Sequence, residues 1–289
     1  GCHRSGNGDS TMNTTTAPDR YALVGHPVHH SRSPVIHSLF AQQTGQHLTY
    51  ELIDAAPDEF ENAVRRFIAE GGRGMNVTVP HKEAAFRLAD RIGPEAEKAG
   101  AVNTLSFDEG SIRGDNTDGI GFLRDLTENL GWEIRGRRIL VLGAGGAARG
   151  ILPPLLENAP SELVLANRTL PRAAELEQRF RRLGPLSIRA FEELERERPF
   201  DLVINATSAG LKGEMPPFPR SIVGERTRCY DLAYARGLTP FQLWAREAGA
   251  ERAEQGLGML VEQAAESFYI WRKVRPDTQP VIQELKDFA

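Results

Sequence analysis

The sequence predicts an α/β protein built on parallel sheet, and two stretches carry that prediction. Between Arg137 and Gly150 the chain reads RRILVLGAGGAARG. Ile139, Leu140, Val141 and Leu142 form the short apolar run of a strand buried on both faces, and it passes without a linker into Gly143, Gly145 and Gly146. Gly143 lets the chain turn tightly, Gly145 has no Cβ and admits a pyrophosphate to the backbone, and Ala148 is small enough for the next helix to pack on the strand. That helix turns its N-terminal N–H groups toward the anion. The second stretch, SELVLAN (Ser161 to Asn167), is another apolar run and brings Asn167, Arg168 and Thr169 to its carboxyl end. They lie about 20 residues beyond the turn, where a doubly wound dinucleotide-binding fold recognises the adenosine ribose.

No Asp or Glu stands at that spot. An acid there would accept hydrogen bonds from a free 2′-hydroxyl and repel a 2′-phosphate, whereas Arg168, Thr169 and Arg172 supply positive charge and donors. The cofactor expected is therefore NADP rather than NAD, the competing reading being that both arginines are ordinary solvated helix-start residues. No Gly-Lys-Ser/Thr follows the glycines, so a Walker-type phosphate loop is unsupported.

Composition narrows the remaining classes. A chain of 289 residues accommodates two domains, and 40% hydrophobic with 26% charged residues is ordinary globular composition. A net charge of −4, without long runs of one sign, gives no reason to expect nucleic acid or an anionic membrane as partner. No apolar stretch approaches the roughly 20 residues needed to span a bilayer. Of two cysteines, Cys2 precedes Met12 and Cys229 falls in an expected strand, so no disulfide framework is indicated and a reducing cytoplasm fits. Residues 1–19 are expected to be a disordered, tag-like leader, since the stretch before Met12 lacks the apolar core of a secretory signal.

Along the chain, RYALVGHP is expected to be a strand, and HHSRSP leads into a helix from Pro34 to Gln43. One of Ser31 and Ser33 is expected as N-cap with Pro34 at N1; alternatively both hydroxyls, flanking Arg32, face a polyhydroxylated ligand. HLTYELID, the helix PDEFENAVRRFIAEG and GMNVTVP read as a βαβ unit. Asn76 and Thr78 alternate with valines and share one face near the strand's carboxyl end, a usual place for a site in open α/β sheets. Lys82 falls in the first turn of the next helix, where a cation opposes the helix dipole; that costs only about 0.5 kcal/mol, so a solvated lysine and a catalytic one both remain open.

Two short strands around Asp108-Glu109-Gly110 place Asn103 at one end and GDNTDG at the other, opening a helix from Gly119 to Asn129. One residue among Asp115, Asn116, Thr117 and Asp118 must cap it, and Asp118 is then spare. Pro153 and Pro154 fall inside the helix after the glycine turn and are expected to kink or shorten it. Further on come a helix from Thr169 to Leu183, the strands LSIRAF and FDLVINA, the latter running into Thr207, Ser208 and Gly210, and a strand ending near Asp231 and Leu232 with Tyr234 just beyond. Helices follow at TPFQLWAREAG, at GLGMLVEQAAESFYIWRKV and at Gln279–Asp287 with Pro280 near N1. Gly256 and Gly258 are read as a hinge before the second of these, and Gln263 on it lies among apolar neighbours.

Taken together, HSRSPVIH, NVTVPHKE, GAVNT, GDNTDG, GAGGAARG, NRT, NATSAG and GLGMLVEQAA resemble, in that order and over nearly all of the chain after Met12, the shikimate dehydrogenase (shikimate/quinate dehydrogenase) family. The resemblance implies an α/β substrate domain over residues 20–117 and 256–289 and a Rossmann-type doubly wound NADP domain over 118–255, with the C-terminal helices returning to the substrate domain. It implies reversible reduction of 3-dehydroshikimate to shikimate in aromatic amino acid biosynthesis. Lys82 and Asp118 would be the catalytic pair, and Ser31, Ser33, Thr78, Asn103 and Gln263 would hold the substrate, with Tyr234 near it and Asn76 behind them. The cofactor would meet Gly143, Gly145, Gly146, Ala147, Asn167, Arg168, Thr169 and Arg172, with Thr207, Leu232, Gly256 and Met259 around the nicotinamide half. His81 stands where an aromatic residue is expected, and Leu232 where some relatives carry methionine.

Two other readings remain open: a quinate/shikimate dehydrogenase of broader substrate choice, and a noncatalytic NADP- or shikimate-binding regulator, which need not retain both Lys82 and Asp118. No metal is expected, because His26, His29, His30, His37 and His47 show no spaced ligand set. The partners expected are the small-molecule substrate and no nucleic acid or membrane, with a homodimer left open.

Overall fold

The structure, a computed structural model, describes residues 16–208 and 218–287. Gly210 and the leader up to residue 15, both named above, lie outside them.

Two six-stranded sheets organise the chain. The first uses β1 (Asp19–Gly25), β2 (Leu48–Asp54), β3 (Gly72–Val77), β4 (Arg91–Ile92), β5 (Thr104–Asp108) and β6 (Ser111–Asp115), in the order β2-β1-β3-β5-β6-β4. Helices α1 (Ser33–Thr44), α2 (Phe60–Ala69), α3 (Lys82–Leu88) and α4 (Pro94–Ala99) connect them. The expected βαβ unit forms, but β1 lies between its two strands and pairs in parallel with both. The amphipathic stripe of α2 buries Phe60, Val64 and Phe67 on the sheet. β5 and β6 form an antiparallel hairpin whose loop residues, Glu109 and Gly110, both have positive φ, as a two-residue primed turn requires.

Helix α5 (Asp118–Leu123) leads out of this sheet and continues as a π-helical stretch, Arg124–Asn129. The second sheet follows: β7 (Arg138–Leu142), β8 (Glu162–Asn167), β9 (Leu186–Ala190), β10 (Leu202–Asn205), β11 (Arg228–Asp231) and β12 (Arg252–Gln255), all parallel, in the order β12-β11-β10-β7-β8-β9. Its helices are α6 (Gly146–Glu157), α7 (Leu170–Phe180) and α8 (Pro240–Glu247), the last opened by a Thr239/Gln242 capping box. The strand order reverses between β7 and β10, the switch point at which doubly wound sheets bind ligands. Helices α9 (Leu257–Arg272) and α10 (Thr278–Asp287) then return to the first sheet, where Val261, Phe268, Val281 and Ile282 pack with Ile36 and Phe40 of α1. Pro280 is thus the third residue of α10.

Three local expectations are corrected. Helix α6 runs unbroken through Pro153 and Pro154, and the leucines around them are buried, so packing offsets the lost hydrogen bonds. Arg32, not a serine, is the N-cap residue of α1; Ser33 is its first residue and its N–H donates to Ser31 Oγ at 3.1 Å. Gly258 is inside α9 rather than in a hinge before it, and its lack of a side chain serves close packing, since any Cβ there would collide with the Asp125 carboxylate. The sequence reading also missed β4 and β12, which are short and polar.

Ion pairs and caps tie the two sheet units together. Arg149 on α6, 93% buried at its side chain, reaches Glu83 on α3 (3.0 Å) and Glu175 on α7 (2.7 Å). Arg179 on α7 donates to Glu97 O and Lys98 O at the end of α4.

Candidate active site

The site begins where strands end. β3 stops before Thr78, the chain turns through Val79 and Pro80, and α3 opens with Lys82 as its first residue. His81 anchors that start: its ring is buried, stacks on Phe60 and bonds Ala55 O through Nε2 at 2.6 Å. The departure from an aromatic residue at this position therefore keeps the stacking and adds a polar tie to the β2–α2 connection. Burial pushes the imidazole pKa below its ordinary value, which favours the neutral ring.

On the other side, α5 opens with Asp118. Asn116 Oδ1 accepts from Asp118 N at 2.9 Å, satisfying a free helix donor, and Thr117 occupies the N-cap position without capping through its side chain. The helix thus starts one residue earlier than expected, and the Asp118 carboxylate is released from capping. Its Oδ2 accepts from Lys82 Nζ at 2.6 Å, with the two side chains 9% and 15% exposed respectively. A charge-assisted hydrogen bond of that length with so little water around it holds both heads in one geometry.

A polar network supports the pair from behind. Asn103 Nδ2 is placed to donate to Asp118 Oδ1 (3.0 Å), Thr117 Oγ1 (2.8 Å) and Gln263 Oε1 (3.3 Å). Thr117 Oγ1, Thr104 Oγ1 and Asn76 Nδ2 all meet Ser267 Oγ on α9, at 2.8 to 3.1 Å. Tyr50 OH donates to Asn76 Oδ1 at 2.8 Å. Under Tyr50, at 4.3 Å and nearly parallel, lies the His37 ring, buried and pushed down to about 3 by desolvation.

The glycine turn faces this cluster. Gly143 has φ 105° and leaves β7 so close to β10 that a Cβ on it would lie 2.9 Å from Ala206 O, so only glycine fits. No atom lies within 4 Å of a Cβ position at Gly145, which is the open cradle a phosphate requires. At Gly146 the nearest atom is Lys82 Cδ, at 3.9 Å. The lysine stem therefore crosses directly in front of the turn. Among the described residues no cluster of three or more His, Cys, Asp or Glu is arranged to hold a metal.

Most of the expected residues converge. Lys82, Asp118, Asn103 and Gln263 share one network, which extends through Ser267 and Asn76 to Tyr50, whereas Ser31 and Ser33 bond each other outside it. Thr78 lies beside them, its methyl group against Gly25, with no side-chain hydrogen bond among the described residues. Tyr234 packs on the α1–α9 cluster with the Arg32 guanidinium over its ring. On the second sheet, Asn167 bonds Thr169, and Arg168 and Arg172 are exposed and enter no ion pair among the described residues. Thr207 Oγ1 bonds Asn205 Oδ1 at 2.6 Å; Ala147, Leu232 and Met259 pack at the edge of the core, and Gly256 abuts Leu232 O. Thr117, Ser267 and Tyr50 were missed, although Thr117 lies beside the spare carboxylate in a segment with more caps than one helix needs.

A dinucleotide-type turn at a sheet switch point, faced by a preassembled ammonium–carboxylate pair, defines an α/β protein of the two-domain dehydrogenase class. The comparisons with known proteins are specific. The shikimate dehydrogenase substrate binding domain family matches residues 23–105, the shikimate/quinate 5-dehydrogenase family residues 125–212, and the shikimate 5′-dehydrogenase C-terminal domain residues 256–286. The chain is 56% identical to the shikimate dehydrogenase (NADP(+)) of Alkalilimnicola ehrlichii, over 93% of its own length and 98% of that protein. An Ael1 enzyme from Pseudomonas putida has 51% identity and a TM-score of 0.84, covering 92% of this chain and 98% of that one. A shikimate 5-dehydrogenase from Thermus thermophilus, solved with NADP(H) and shikimate, has 33% identity and a TM-score of 0.83, covering 94% and 100%. The chain belongs to the shikimate dehydrogenase family.

Proposed function

We propose that this chain catalyses the reversible, NADP-dependent interconversion of 3-dehydroshikimate and shikimate in aromatic amino acid biosynthesis. The observation that carries the reading is the Lys82–Asp118 pair at 2.6 Å with the lysine stem across the glycine turn. Bound NADPH supplies the hydride that reduces the substrate ketone. The developing oxyanion needs a positioned donor, and Lys82 provides one: its ammonium stabilises the charge and delivers the proton, and in the reverse direction the neutral amine takes it. Asp118 orients Lys82 and accepts from a neighbouring substrate hydroxyl. Asn103 holds Asp118 by its amide, as the 3.0 Å contact supports. Ser31, Ser33, Thr78, Asn103 and Gln263 hold the substrate's carboxylate and hydroxyls, with Tyr234 beside it.

Residues 20–117 and 256–289 then act as the substrate domain and 118–255 as the NADP domain. Gly143, Gly145, Gly146 and Ala147 take the pyrophosphate; Asn167, Arg168, Thr169 and Arg172 take the 2′-phosphate and ribose; Thr207, Leu232, Gly256 and Met259 surround the nicotinamide half. The open space at Gly145 and the exposed Arg168 and Arg172 fit those groups. We place the enzyme in the cytoplasm, consistent with Cys229 as a buried free thiol.

The test follows NADPH absorbance with 3-dehydroshikimate, then NADP+ and NAD+ reduction with shikimate and quinate. Oxidation of NADPH, with NADP+ and shikimate preferred in reverse, is expected. Equal turnover of quinate moves the assignment to the broader quinate/shikimate enzyme, and no turnover at all removes the catalytic reading. Sedimentation velocity on the same preparation distinguishes monomer from homodimer.

A further inference from the structure

The carboxylate of Asp118 is held by hydrogen bonds, but its backbone is placed by something else. Helix α5 crosses α6 with almost no side chain between them. A Cβ on Gly150 of α6 would lie 3.1 Å from Asp118 Cβ and 3.7 Å from Asp118 Oδ2. Reciprocally, a Cβ on Gly119 of α5 would lie 2.7 Å from Gly150 O and 3.2 Å from Pro154 Cγ. On its far flank α5 is equally close to α9, where a Cβ on Gly121 would meet Gln263 N at 2.6 Å. Carbon atoms in ordinary contact stay about 3.5–4.0 Å apart, so a methyl group added at Gly119 must displace the first turn of α5, and one added at Gly150 must push Asp118 aside by a few tenths of an ångström.

Pro154 belongs to the same contact. It sits four residues after Gly150 and has no N–H, so the Gly150 carbonyl lacks its normal helical donor and faces the bare Cα of Gly119 instead. This gives Pro154, which a helix interior would otherwise exclude, a place in the architecture.

We propose that Gly119 and Gly150 are positioning residues for the catalytic pair: their side-chain-free contact sets Asp118 Oδ2 at 2.6 Å from Lys82 Nζ, and Pro154 frees the carbonyl that makes the contact. The inference rests on the reading of Lys82 and Asp118 as the proton-handling pair. It goes beyond that reading in assigning a catalytic consequence to a packing contact between two helices of the dinucleotide-turn side.

The variant Gly150→Ala tests it. Alanine has the higher helix propensity, so the substitution acts through the crossing rather than through α6 itself. Misplacement by about 1 Å can lower turnover about 10²-fold, and the shift here is a few tenths of that, so kcat for shikimate oxidation is expected to fall about three- to tenfold, with KM for NADP+ and shikimate within about twofold of wild type. Placed on Asp118→Asn, the same substitution is expected to cost less than about twofold more, because it acts through a carboxylate no longer present. Pro154→Ala, which restores the amide, serves if Gly150→Ala does not fold; a smaller loss of kcat, about two- to fivefold, with an unchanged KM is expected. Unchanged kcat in the folded variant, an equal loss in both Asp118 backgrounds, or a loss carried by KM for NADP+ overturns the proposal. An inactive wild-type enzyme overturns the underlying reading instead, so the two failures are distinct.

Discussion

The two walls of the cleft are built on opposite plans. On the wall formed by α3, β5, α5 and α9, almost every polar group is buried and bonded to another: Lys82 to Asp118, Asp118 to Asn103, Asn103 to Thr117, and Thr104, Thr117 and Asn76 around Ser267. The wall formed by the glycine turn and the β8–α7 junction is open, with clear space at Gly145 and with Arg168 and Arg172 exposed. On the proposed reading, chemistry that needs fixed angles falls to a packed network, and attraction of a highly charged ligand to backbone and solvated charge. A network loses activity when one atom moves, whereas a solvated charge loses affinity in proportion to the charge removed.

Removing the lysine breaks that contrast most severely. Lys82→Ala is expected to lower kcat by about 10³-fold or more, since the proposed mechanism draws both oxyanion stabilisation and the proton from one group, while NADP+ affinity measured by fluorescence titration stays near wild type. On the open wall the reverse split is expected. Replacing both Arg168 and Arg172 by alanine should weaken NADP+ by about 10- to 100-fold with NAD+ turnover little changed, and high salt should shrink the difference. Equal effects on both cofactors would remove the arginines from 2′-phosphate recognition.

The smallest effect sharpens the contrast in stability rather than catalysis. His37, buried beneath Tyr50 and held at about 3, stays neutral in the fold while the unfolded chain, at its ordinary 6.5, takes up a proton as pH falls. Its contribution is therefore lost progressively below about pH 6.5, reaching about 2 kcal/mol by pH 5. His37→Phe, which keeps the aromatic stack and removes the unpartnered Nε2, is expected to flatten the decline of Tm between pH 7 and pH 5. An unaltered slope would assign that decline to other groups.

These walls were unequally legible in the sequence. The open wall is local: strand, glycines and helix follow one another within Arg137–Gly150, and the absent acid at Asn167–Thr169 sits one strand further on, so period and spacing suffice. In the packed wall, Lys82 stood out because its charge opposes its helix, and Asp118 because its segment held more caps than a helix uses. The partners that fix them were hidden, since Ser267 meets Thr104 across 163 residues and nothing in a serine among apolar neighbours announces a hub. The place of β1 between β2 and β3 was hidden for the same reason. Pro153 and Pro154 misled because the penalty for proline in a helix is local and the burial that offsets it is not.

The return of α9 and α10 to the first sheet has a consequence for biosynthesis. Ile36 and Phe40 of α1 find most of their buried partners in residues 257–285, and Trp271 stacks on Tyr21 of the first strand at 4.5 Å. A nascent chain that has emerged only as far as β12 therefore leaves one face of α1, and the flank of α5 that α9 covers, still open to water. The apolar face of a helix made early is, on this architecture, closed only when α9 and α10 arrive.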